Sequence, residues 1–174
     1  MMILLTGGAG CGKSHFAESL CMRFDGPRFY LAAMQPHGAE GEARIARHRA
    51  QRDGKGFTTV ERYTDYASLA LPTRGTALLE CVANLTANEM FAPDGTMTDP
   101  VETVLRGIDT LRAQCERLIV VTNDVGSDGI DYDPSTMAYI DALGAINAAL
   151  AACADTVVEL VAGIPLVLKG ELPA

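Results

Sequence analysis

The stretch Ile3-Leu4-Leu5-Thr6-Gly7-Gly8-Ala9-Gly10-Cys11-Gly12-Lys13-Ser14 is the part of the chain that decides its fold. Its first four residues form an apolar run typical of a buried strand, and a helical pattern over 13–24 begins where the glycines end. Residues 7–14 fit the pattern G-x-x-x-x-G-K-[ST], which between a strand and a helix predicts a phosphate-binding loop. The alternative is a glycine-rich turn in which the Lys-Ser pair arises by chance.

The predicted loop would bind a nucleoside triphosphate through its backbone and two side chains. Its N–H groups can surround phosphate oxygens, and the N-terminus of the following helix adds partial positive charge. Lys13 would reach the β- and γ-phosphates as a catalytic residue, and the Ser14 hydroxyl would ligate Mg²⁺. The predicted nucleotide-binding residues of the loop are Gly7, Gly8, Ala9, Gly10, Cys11, Gly12, Lys13 and Ser14. The motif identifies neither the base nor the group that receives the phosphate.

Strand and helix patterns alternate along the rest of the chain. Apolar runs typical of strands lie at 3–6, 29–33, 77–81, 118–122 and 156–162, and helical patterns lie at 13–24, 40–52, 99–116 and 135–153. This alternation predicts βαβ crossovers and a mostly parallel sheet. Asp99-Pro100 and Asp133-Pro134 each predict an N-cap followed by a proline at the first helical position. Gly163-Ile164-Pro165 predicts a turn into a short last strand at the edge of the sheet.

The whole chain, residues 1–174, has the size and composition of one soluble domain. A chain of this length buries roughly 70% of its unfolded surface, and 48% of its residues are hydrophobic. The formal net charge of −8 argues against a protein that binds nucleic acid through its backbone phosphates or that lies on anionic lipid. We therefore expect neither nucleic-acid binding nor membrane insertion, since no run approaches the roughly 18 apolar residues of a spanning helix.

The five cysteines of the chain are scattered and form no C-x-x-C pair. An odd number without metal-ligand spacing favours free thiols in a reducing compartment over a disulfide framework or a zinc site. The apolar N-terminus has no basic segment before it and leads directly into glycines, so it predicts a strand and not a signal peptide. Both observations favour a cytoplasmic protein.

Acidic and amide side chains follow two of the predicted strands. Glu80 ends the apolar run 77–79, and a carboxylate at the carboxyl end of a central strand commonly holds Mg²⁺ or its waters. Glu80 is therefore a predicted metal ligand together with Ser14, the alternative being an acid that points to solvent. Asn123 and Asp124 follow another strand, where they would either sense a γ-phosphate or cap a turn.

His48 stands in a distinctive setting among the three histidines of the chain. Arg44, His48 and Arg52 share one face of a predicted helix at spacing i, i+4, i+8. With Arg47 and Arg49 nearby, this segment gathers four of the 14 basic residues, and arginine clusters hold phosphates by bidentate hydrogen bonds. The guanidinium groups disfavour a positive imidazole, and neutral imidazole is a nucleophile toward phosphorus. The pattern suits transfer of a nucleotidyl group onto His48, the alternative being a solvated basic helix face.

Taken together, these segments resemble the bifunctional adenosylcobinamide kinase/adenosylcobinamide-phosphate guanylyltransferase family of cobalamin biosynthesis. The resemblance covers about residues 2–169, and its most specific part is Arg44-Ile45-Ala46-Arg47-His48 followed downstream by Leu78-Leu79-Glu80-Cys81. The other matching segments are the loop 7–14, Tyr30-Leu31-Ala32, Thr59-Val60-Glu61, Asn88, 121–126, 154–157 and 161–169.

The resemblance implies two reactions. The first phosphorylates adenosylcobinamide with ATP or GTP, and the second transfers GMP from GTP to adenosylcobinamide phosphate through a guanylylated histidine, giving adenosylcobinamide-GDP. His48 matches that catalytic histidine. Beyond the loop, the positions that match the family's guanine-nucleotide site are Ala32, Ala33, Met34, Arg49, Ala50, Gln51, Arg52, Glu61 and Glu80.

The family also implies a fold and an assembly. The implied fold is α/β, a RecA-like sheet of the P-loop NTPase type, mostly parallel, with helices on both faces and one short antiparallel edge strand. The implied partners are GTP, ATP, Mg²⁺ and the corrinoid substrate, and the implied assembly is a homotrimer. Two other hypotheses remain compatible with the residues: a different P-loop kinase of a small molecule, and a GTP-binding homologue that has lost one or both activities.

Overall fold

The computed structural model describes residues 1–126 and 128–173, whose strands form one seven-stranded sheet. The strands are β1 (Met2–Thr6), β2 (Arg28–Ala32), β3 (Phe57–Glu61), β4 (Thr76–Glu80), β5 (Arg117–Val121), β6 (Thr156–Val161) and β7 (Ile164–Lys169). The helices are α1 (Lys13–Cys21), α2 (Gly38–Arg52), α3 (Val82–Met90), α4 (Val101–Gln114) and α5 (Pro134–Cys153), with a short 3₁₀ turn at Tyr66–Ser68.

The order of the strands confirms the predicted fold. Across the sheet they run β3-β2-β4-β5-β1-β6-β7, and every pair is parallel except β6 with β7. The antiparallel strand β7 lies at the edge, directly after the Gly163 turn. Its six residues are all exposed, which separates it from the buried strands at the centre.

Helices cover both faces of the sheet. Right-handed crossovers between parallel strands are expected to put α1 and α2 on one face and α3, α4 and α5 on the other. α1 packs on β1, β4 and β5, while α3, α4 and α5 pack on one another. The central strands carry the core, with side chains such as Ile3, Leu78 and Ile119 fully buried.

Two elements were not predicted from the sequence. β3 is an edge strand whose Thr58 and Thr59 are exposed, so it has no continuous apolar run. α3 begins immediately after β4, and its apolar start merges with the apolar end of that strand. Cys81, predicted as the end of a strand, is the N-cap residue of α3, and Ala33 lies just beyond β2.

Of the two N-caps predicted from the sequence, the structure confirms one and moves the other by one residue. Asp133 caps α5 as predicted: its carboxylate accepts hydrogen bonds from the N–H groups of Ser135 and Thr136, and Pro134 is the first helical residue. These bonds hold the pKa of Asp133 well below its ordinary value. At α4 the helix begins one residue later than predicted, so Pro100 is the N-cap and Asp99 accepts from the N–H of Val101 at 3.0 Å.

One helix within 1–126 and 128–173, α5, is long and apolar enough to cross a membrane by length and composition. A single helix of this kind is weak evidence for a span, and α5 packs against α3 and α4 beside the sheet. Much of its apolar surface is nevertheless exposed, since 17% of its apolar stretch is buried.

The parallel strands bring their carboxyl ends to the same edge of the sheet. The loop 7–14 follows β1, Glu80 ends β4, and Asn123 follows β5. α2 starts beyond the carboxyl end of β2, so the same edge also receives His48. In sheets of this type ligands bind at this edge.

Candidate active site

The loop 7–14 joins β1 to α1 in a conformation that favours glycine, most clearly at Gly7 and Gly12. Gly7 has a φ of 133°, and a Cβ there would lie 2.5 Å from the backbone oxygen of Leu160 on β6. Gly12, the N-cap of α1, has a φ of 98°, which side chains rarely adopt. The loop therefore lies tight against β6 and turns sharply into the helix.

Lys13 lies inside this loop. Its Nζ donates hydrogen bonds to the backbone oxygens of Gly7 and Gly8, both at 2.7 Å, and lies 3.6 Å from Cys11 Sγ. The residue is 6% exposed. The ammonium group is thus held at the centre of the loop by two carbonyl groups. An anion that enters the loop would compete with these carbonyl groups for the ammonium group.

Glu80 connects the phosphate loop to β2 through hydrogen bonds of its carboxylate. Its Oε1 accepts a hydrogen bond from the Ser14 hydroxyl, and its Oε2 accepts one from the Tyr30 hydroxyl at 3.2 Å. The Glu80 side chain is 11% exposed, so it is not the solvent-directed acid that the sequence left open. Burial, followed by the charge of Glu80, raises the pKa of Tyr30 far above its ordinary value, so this hydroxyl remains a donor.

α2 brings His48 to Glu80. The His48 Nδ1 atom lies 4.0 Å from Glu80 Oε1, and the side chain is 21% exposed. Nδ1 is itself buried and has no hydrogen-bond partner within the described part of the chain. His37 is exposed before α2, whereas His15 lies beside the phosphate loop.

Two cavities meet at this point. The loop cavity, about 240 Å³, is lined by Ala9, Gly10, Cys11, Gly12, Lys13, Ser14, His15, Arg44, Gln51, Glu80, Cys81, Val121 and Asn123. The helix cavity, about 180 Å³, is lined by Tyr30, Ala32, Met34, Pro36, Glu42, Arg44, Ile45, Ala46, His48, Arg49, Arg52, Glu61, Tyr63, Glu80, Cys81 and Asn84. Their shared wall is Arg44, Glu80 and Cys81. One elongated ligand can therefore extend from the loop past Glu80 to the helix cavity.

The arginines of α2 differ in what they contact. Arg49 pairs with Glu61, whose carboxylate also accepts from the Tyr63 hydroxyl at 3.5 Å. The Arg52 guanidinium lies 3.9 Å above the centre of the Tyr30 ring. Stacking of this kind holds a guanidinium in place while leaving its N–H groups available.

The region after β5 is fixed by α5. Asn123 lines the loop cavity with its amide 3.8 Å from Cys81 Sγ, while Asp124 lies outside that lining and is exposed. Asn147 on α5 donates to the backbone oxygen of Asn123 at 3.2 Å and accepts from the Thr122 hydroxyl at 2.6 Å. Of the two polar residues noted in the sequence, Asn123 is the one placed to reach a phosphate.

Most of the predicted site residues line one of the two cavities, and four do not: Gly7 and Gly8, whose backbone oxygens accept from Lys13, and Ala33 and Ala50. Ala32, Met34, Arg49, Arg52 and Glu61 line the helix cavity, and Gln51 lines the loop cavity. Ala50 is exposed and lies in the lining of neither cavity. Ala33 is buried behind the site, where its N–H donates to the Glu80 backbone oxygen at 3.1 Å and its own oxygen accepts from Asn88.

The sequence did not single out several residues of the site. Tyr30 reads as one more apolar residue of a strand, and Tyr63 and Asn84 belong to segments without a motif. Nothing in the sequence pairs Tyr30 with Glu80, because that contact joins two strands 50 residues apart, while Tyr63 bonds to the nearby Glu61 from a segment without a motif. Asn88, part of the family resemblance, ties two loops together by donating to the Ala33 and Tyr63 backbone oxygens.

Comparisons with known proteins find relatives over nearly the whole chain. A family model described as cobinamide kinase / cobinamide phosphate guanyltransferase matches residues 3–168. The bifunctional adenosylcobalamin biosynthesis protein CobU of Salmonella typhimurium is 36% identical over 185 residues, covering 97% of this chain and 100% of that protein. The CobU protein of Escherichia coli is 33% identical and the CobP protein of Pseudomonas aeruginosa 30% identical, each over nearly the full length of both chains.

A comparison of folds adds a more distant similarity. An ATPase from the type III secretion system of pathogenic bacteria has a TM-score of 0.54 and 12% sequence identity. The match covers 91% of this chain, which spans about half of that protein (51%). At this identity the similarity concerns the fold alone, and it agrees with the predicted sheet of the P-loop NTPase type.

Proposed function

Because this chain belongs to the cobinamide kinase / cobinamide phosphate guanyltransferase family, we propose that it carries out both reactions through a guanylylated His48. It phosphorylates adenosylcobinamide with ATP or GTP, and it transfers GMP from GTP to adenosylcobinamide phosphate, giving adenosylcobinamide-GDP. The observation that carries this proposal is the position of His48. Its imidazole lies beside Glu80, where the loop cavity and the helix cavity meet.

In both reactions the triphosphate occupies the loop cavity. The backbone N–H groups of residues 7–14 and the N-terminus of α1 bind its β- and γ-phosphates. Lys13 leaves the Gly7 and Gly8 oxygens and pairs with the phosphates, where it neutralises charge that develops during transfer. In the first reaction the hydroxyl oxygen of adenosylcobinamide attacks the γ-phosphorus, and the nucleoside diphosphate leaves.

Ser14 and Glu80 would hold Mg²⁺. Their oxygens are in direct contact and come from the phosphate loop and from β4, which suits a small cation that prefers oxygen ligands and keeps several waters. No cluster of three or more His, Cys, Asp or Glu side chains suited to a metal occurs in the described residues, so phosphate oxygens and water would have to complete the coordination. When bound, Mg²⁺ supplies charge neutralisation at the phosphate oxygens.

The guanosine of GTP occupies the helix cavity, which places the α-phosphate next to His48. The Glu80 carboxylate faces Nδ1 and favours the tautomer that carries its proton there, leaving the lone pair on Nε2. Nε2 attacks the α-phosphorus, and the bond to the bridging oxygen of pyrophosphate breaks. Ala32, Met34, Arg49, Arg52 and Glu61 hold the nucleoside, with Ala33, Ala50 and Gln51 next to them.

The second half of guanylyl transfer regenerates the histidine. A phosphate oxygen of adenosylcobinamide phosphate attacks the phosphorus of the His48 adduct, the P–N bond breaks, and the imidazole recovers its lone pair. The pyrophosphate formed in the first half leaves through the loop cavity. No redox step is needed, and catalysis rests on positioning and charge neutralisation.

Labelled GTP tests this proposal. With α-labelled GTP and Mg²⁺ but no corrinoid, the label is expected on the protein, stable to alkaline denaturation and labile to acid. Addition of adenosylcobinamide phosphate should move that label into the corrinoid product. With γ-labelled GTP and adenosylcobinamide, the label should appear in adenosylcobinamide phosphate. Transfer of γ-label alone would indicate a kinase of the P-loop type, and tight GTP binding without any transfer would indicate a homologue that has lost both activities.

Replacing Tyr30 by phenylalanine is expected to lower the apparent affinity for Mg²⁺ in the kinase reaction. The change removes the donor to Glu80 Oε2 but keeps the ring beneath Arg52. A hydrogen bond to a charged group contributes about 1.5–3 kcal/mol, so the Mg²⁺ concentration for half-maximal kinase rate should rise about tenfold or more. The KM for GTP at saturating Mg²⁺ should stay within about twofold. Tyr66→Phe, which removes a buried hydroxyl bonded to the Arg62 backbone oxygen, serves as control and should leave the Mg²⁺ titration unchanged.

Assembly into a homotrimer is part of the same proposal, and we place the enzyme in the cytoplasm. The exposed apolar side chains of β7, with Ile164 and Leu168 each 62% exposed, and the exposed surface of α5 support an interface between subunits. Light scattering should give three times the chain mass of 18.4 kDa. A monomeric mass across micromolar concentrations would contradict the trimer without affecting the assignment of His48.

A further inference from the structure

Of the α2 arginines that line the helix cavity, Arg44 is the one with neither an ion pair nor a stacked ring among the described residues. Arg49 is paired with Glu61, and Arg52 is stacked on Tyr30 and donates to the Thr59 hydroxyl at 3.3 Å. Arg44 is exposed, and within residues 1–126 and 128–173 no carboxylate lies at ion-pairing distance from it. Its guanidinium charge is therefore not satisfied by the protein.

The position of Arg44 is equally distinct. It lines both the loop cavity and the helix cavity, whereas Arg49 and Arg52 line only the helix cavity among these two. In the proposed function the guanosine lies in the helix cavity and the β- and γ-phosphates in the loop cavity, which puts the α,β-bridging oxygen of GTP at the wall that the two cavities share.

The face of α2 that carries Arg44 also carries His48 and Gln51, at spacing i, i+4, i+7. Gln51 lines the loop cavity, and its buried Nε2 has no hydrogen-bond partner in the part of the chain described. An unpartnered amide donor on one side of His48 and an unpaired guanidinium on the other are both suited to phosphate oxygens. This face therefore presents donors to the polyphosphate chain along more than one helical turn.

We propose that Arg44 is a catalytic residue of guanylyl transfer that binds the departing pyrophosphate, an inference that rests on the proposed function. As His48 Nε2 bonds to the α-phosphorus, the electron pair of the breaking P–O bond passes to the bridging oxygen of pyrophosphate. The Arg44 guanidinium donates to that oxygen and to the β-phosphate, so it neutralises charge that is greatest in the transition state. In the kinase reaction the breaking bond lies between the β- and γ-phosphates, further along the loop cavity, so Arg44 contributes less there.

Single-turnover guanylylation with α-labelled GTP tests this role. Arg44→Ala should slow formation of the His48 adduct about 100-fold or more, while the kinase rate falls by less than about tenfold. Added guanidinium ion should restore part of the lost rate in Arg44→Ala. The guanylylation rate of Arg44→Lys should lie between the rates of the wild type and of Arg44→Ala, and added guanidinium ion should not increase it. Arg47→Ala removes the same charge from the same helix, at a residue outside both cavity linings, and should retain the wild-type rate.

Analogues of GTP with different leaving groups sharpen the test. A β,γ-difluoromethylene analogue releases a more acidic bisphosphonate than a β,γ-methylene analogue, so it needs less stabilisation of the departing charge. The guanylylation rate of Arg44→Ala relative to wild type should therefore be reduced less with the difluoromethylene compound than with the methylene compound. Equal reductions with both compounds, or equal reductions of the kinase and guanylylation rates, would overturn the role of Arg44. If the wild-type protein forms no adduct at all, the proposed function itself fails, which is a separate outcome.

Discussion

Replacing His48 by alanine is expected to abolish guanylylation of the protein and the formation of adenosylcobinamide-GDP while sparing the kinase. No other imidazole of the described residues lies at the junction of the two cavities, since His15 is beside the loop and His37 is exposed. Loss of a covalent nucleophile typically costs several orders of magnitude, so adduct formation should fall at least about a thousandfold. The γ-phosphoryl transfer needs Lys13, Ser14 and Glu80 but no bond to His48, so its rate should stay within about threefold.

The measurement compares the wild-type protein and three variants with α- and γ-labelled GTP under the same conditions. His37→Ala is the matched control, because it removes an exposed imidazole just before α2 and should behave as wild type. His48→Gln keeps a polar side chain at the position and should also fail to form the adduct, which separates loss of the nucleophile from loss of packing. Retention of the protein-bound label in His48→Ala would contradict the assignment of the nucleophile. Loss of kinase activity to the same extent would contradict a role limited to guanylyl transfer.

Replacing Lys13 by methionine is expected to remove both activities. Methionine has a similar length but no charge, so the phosphates lose the one ammonium group that the structure holds inside the loop. Because Lys13 acts on the β- and γ-phosphates in both reactions, the kinase and guanylylation rates should each fall about a thousandfold. The prediction thus differs from that for His48, where only one reaction is lost.

Thermal unfolding must accompany this measurement, since Lys13 also bridges the backbone oxygens of Gly7 and Gly8. Lys169→Met is the matched control: Lys169 donates to the Ala151 and Ala152 backbone oxygens at the end of α5, and both activities should persist in this variant. Lys13→Arg keeps the charge but not the compact ammonium group and should also be strongly impaired. A folded Lys13→Met protein that transfers either γ-phosphate or GMP at the wild-type rate would exclude the loop as the triphosphate site.

Local sequence signals were sufficient for the elements that carry the site. The apolar runs and the glycine loop predicted β1, β2, β4, β5 and β6, and the parallel arrangement followed from their alternation with helices. Glu80 and Asn123 were located by the rule that ligands bind at the carboxyl ends of strands. These inferences succeeded because each depends on residues close together in the chain.

The contacts that organise the site depend on distance in space and could not be read from the sequence. Tyr30 and Ser14 meet Glu80 from β2 and from the phosphate loop, and Asn147 holds Asn123 from α5. Periodicity could not separate α3 from β4, because both are apolar at their boundary. Nor could spacing distinguish Arg44 from Arg49, since their difference lies in the pairing of Arg49 with Glu61 on another element.

Mapping the covalent adduct tests the central claim most directly. Wild-type protein is incubated with GTP and Mg²⁺ without corrinoid, denatured in alkali and cleaved after glutamate, which releases residues 43–61 with His48 as their single histidine. The account predicts that mass spectrometry finds this peptide heavier by one GMP, with fragment ions that place the added mass on His48. An unmodified 43–61 peptide after release of one equivalent of pyrophosphate per chain, or GMP on another residue, would contradict it.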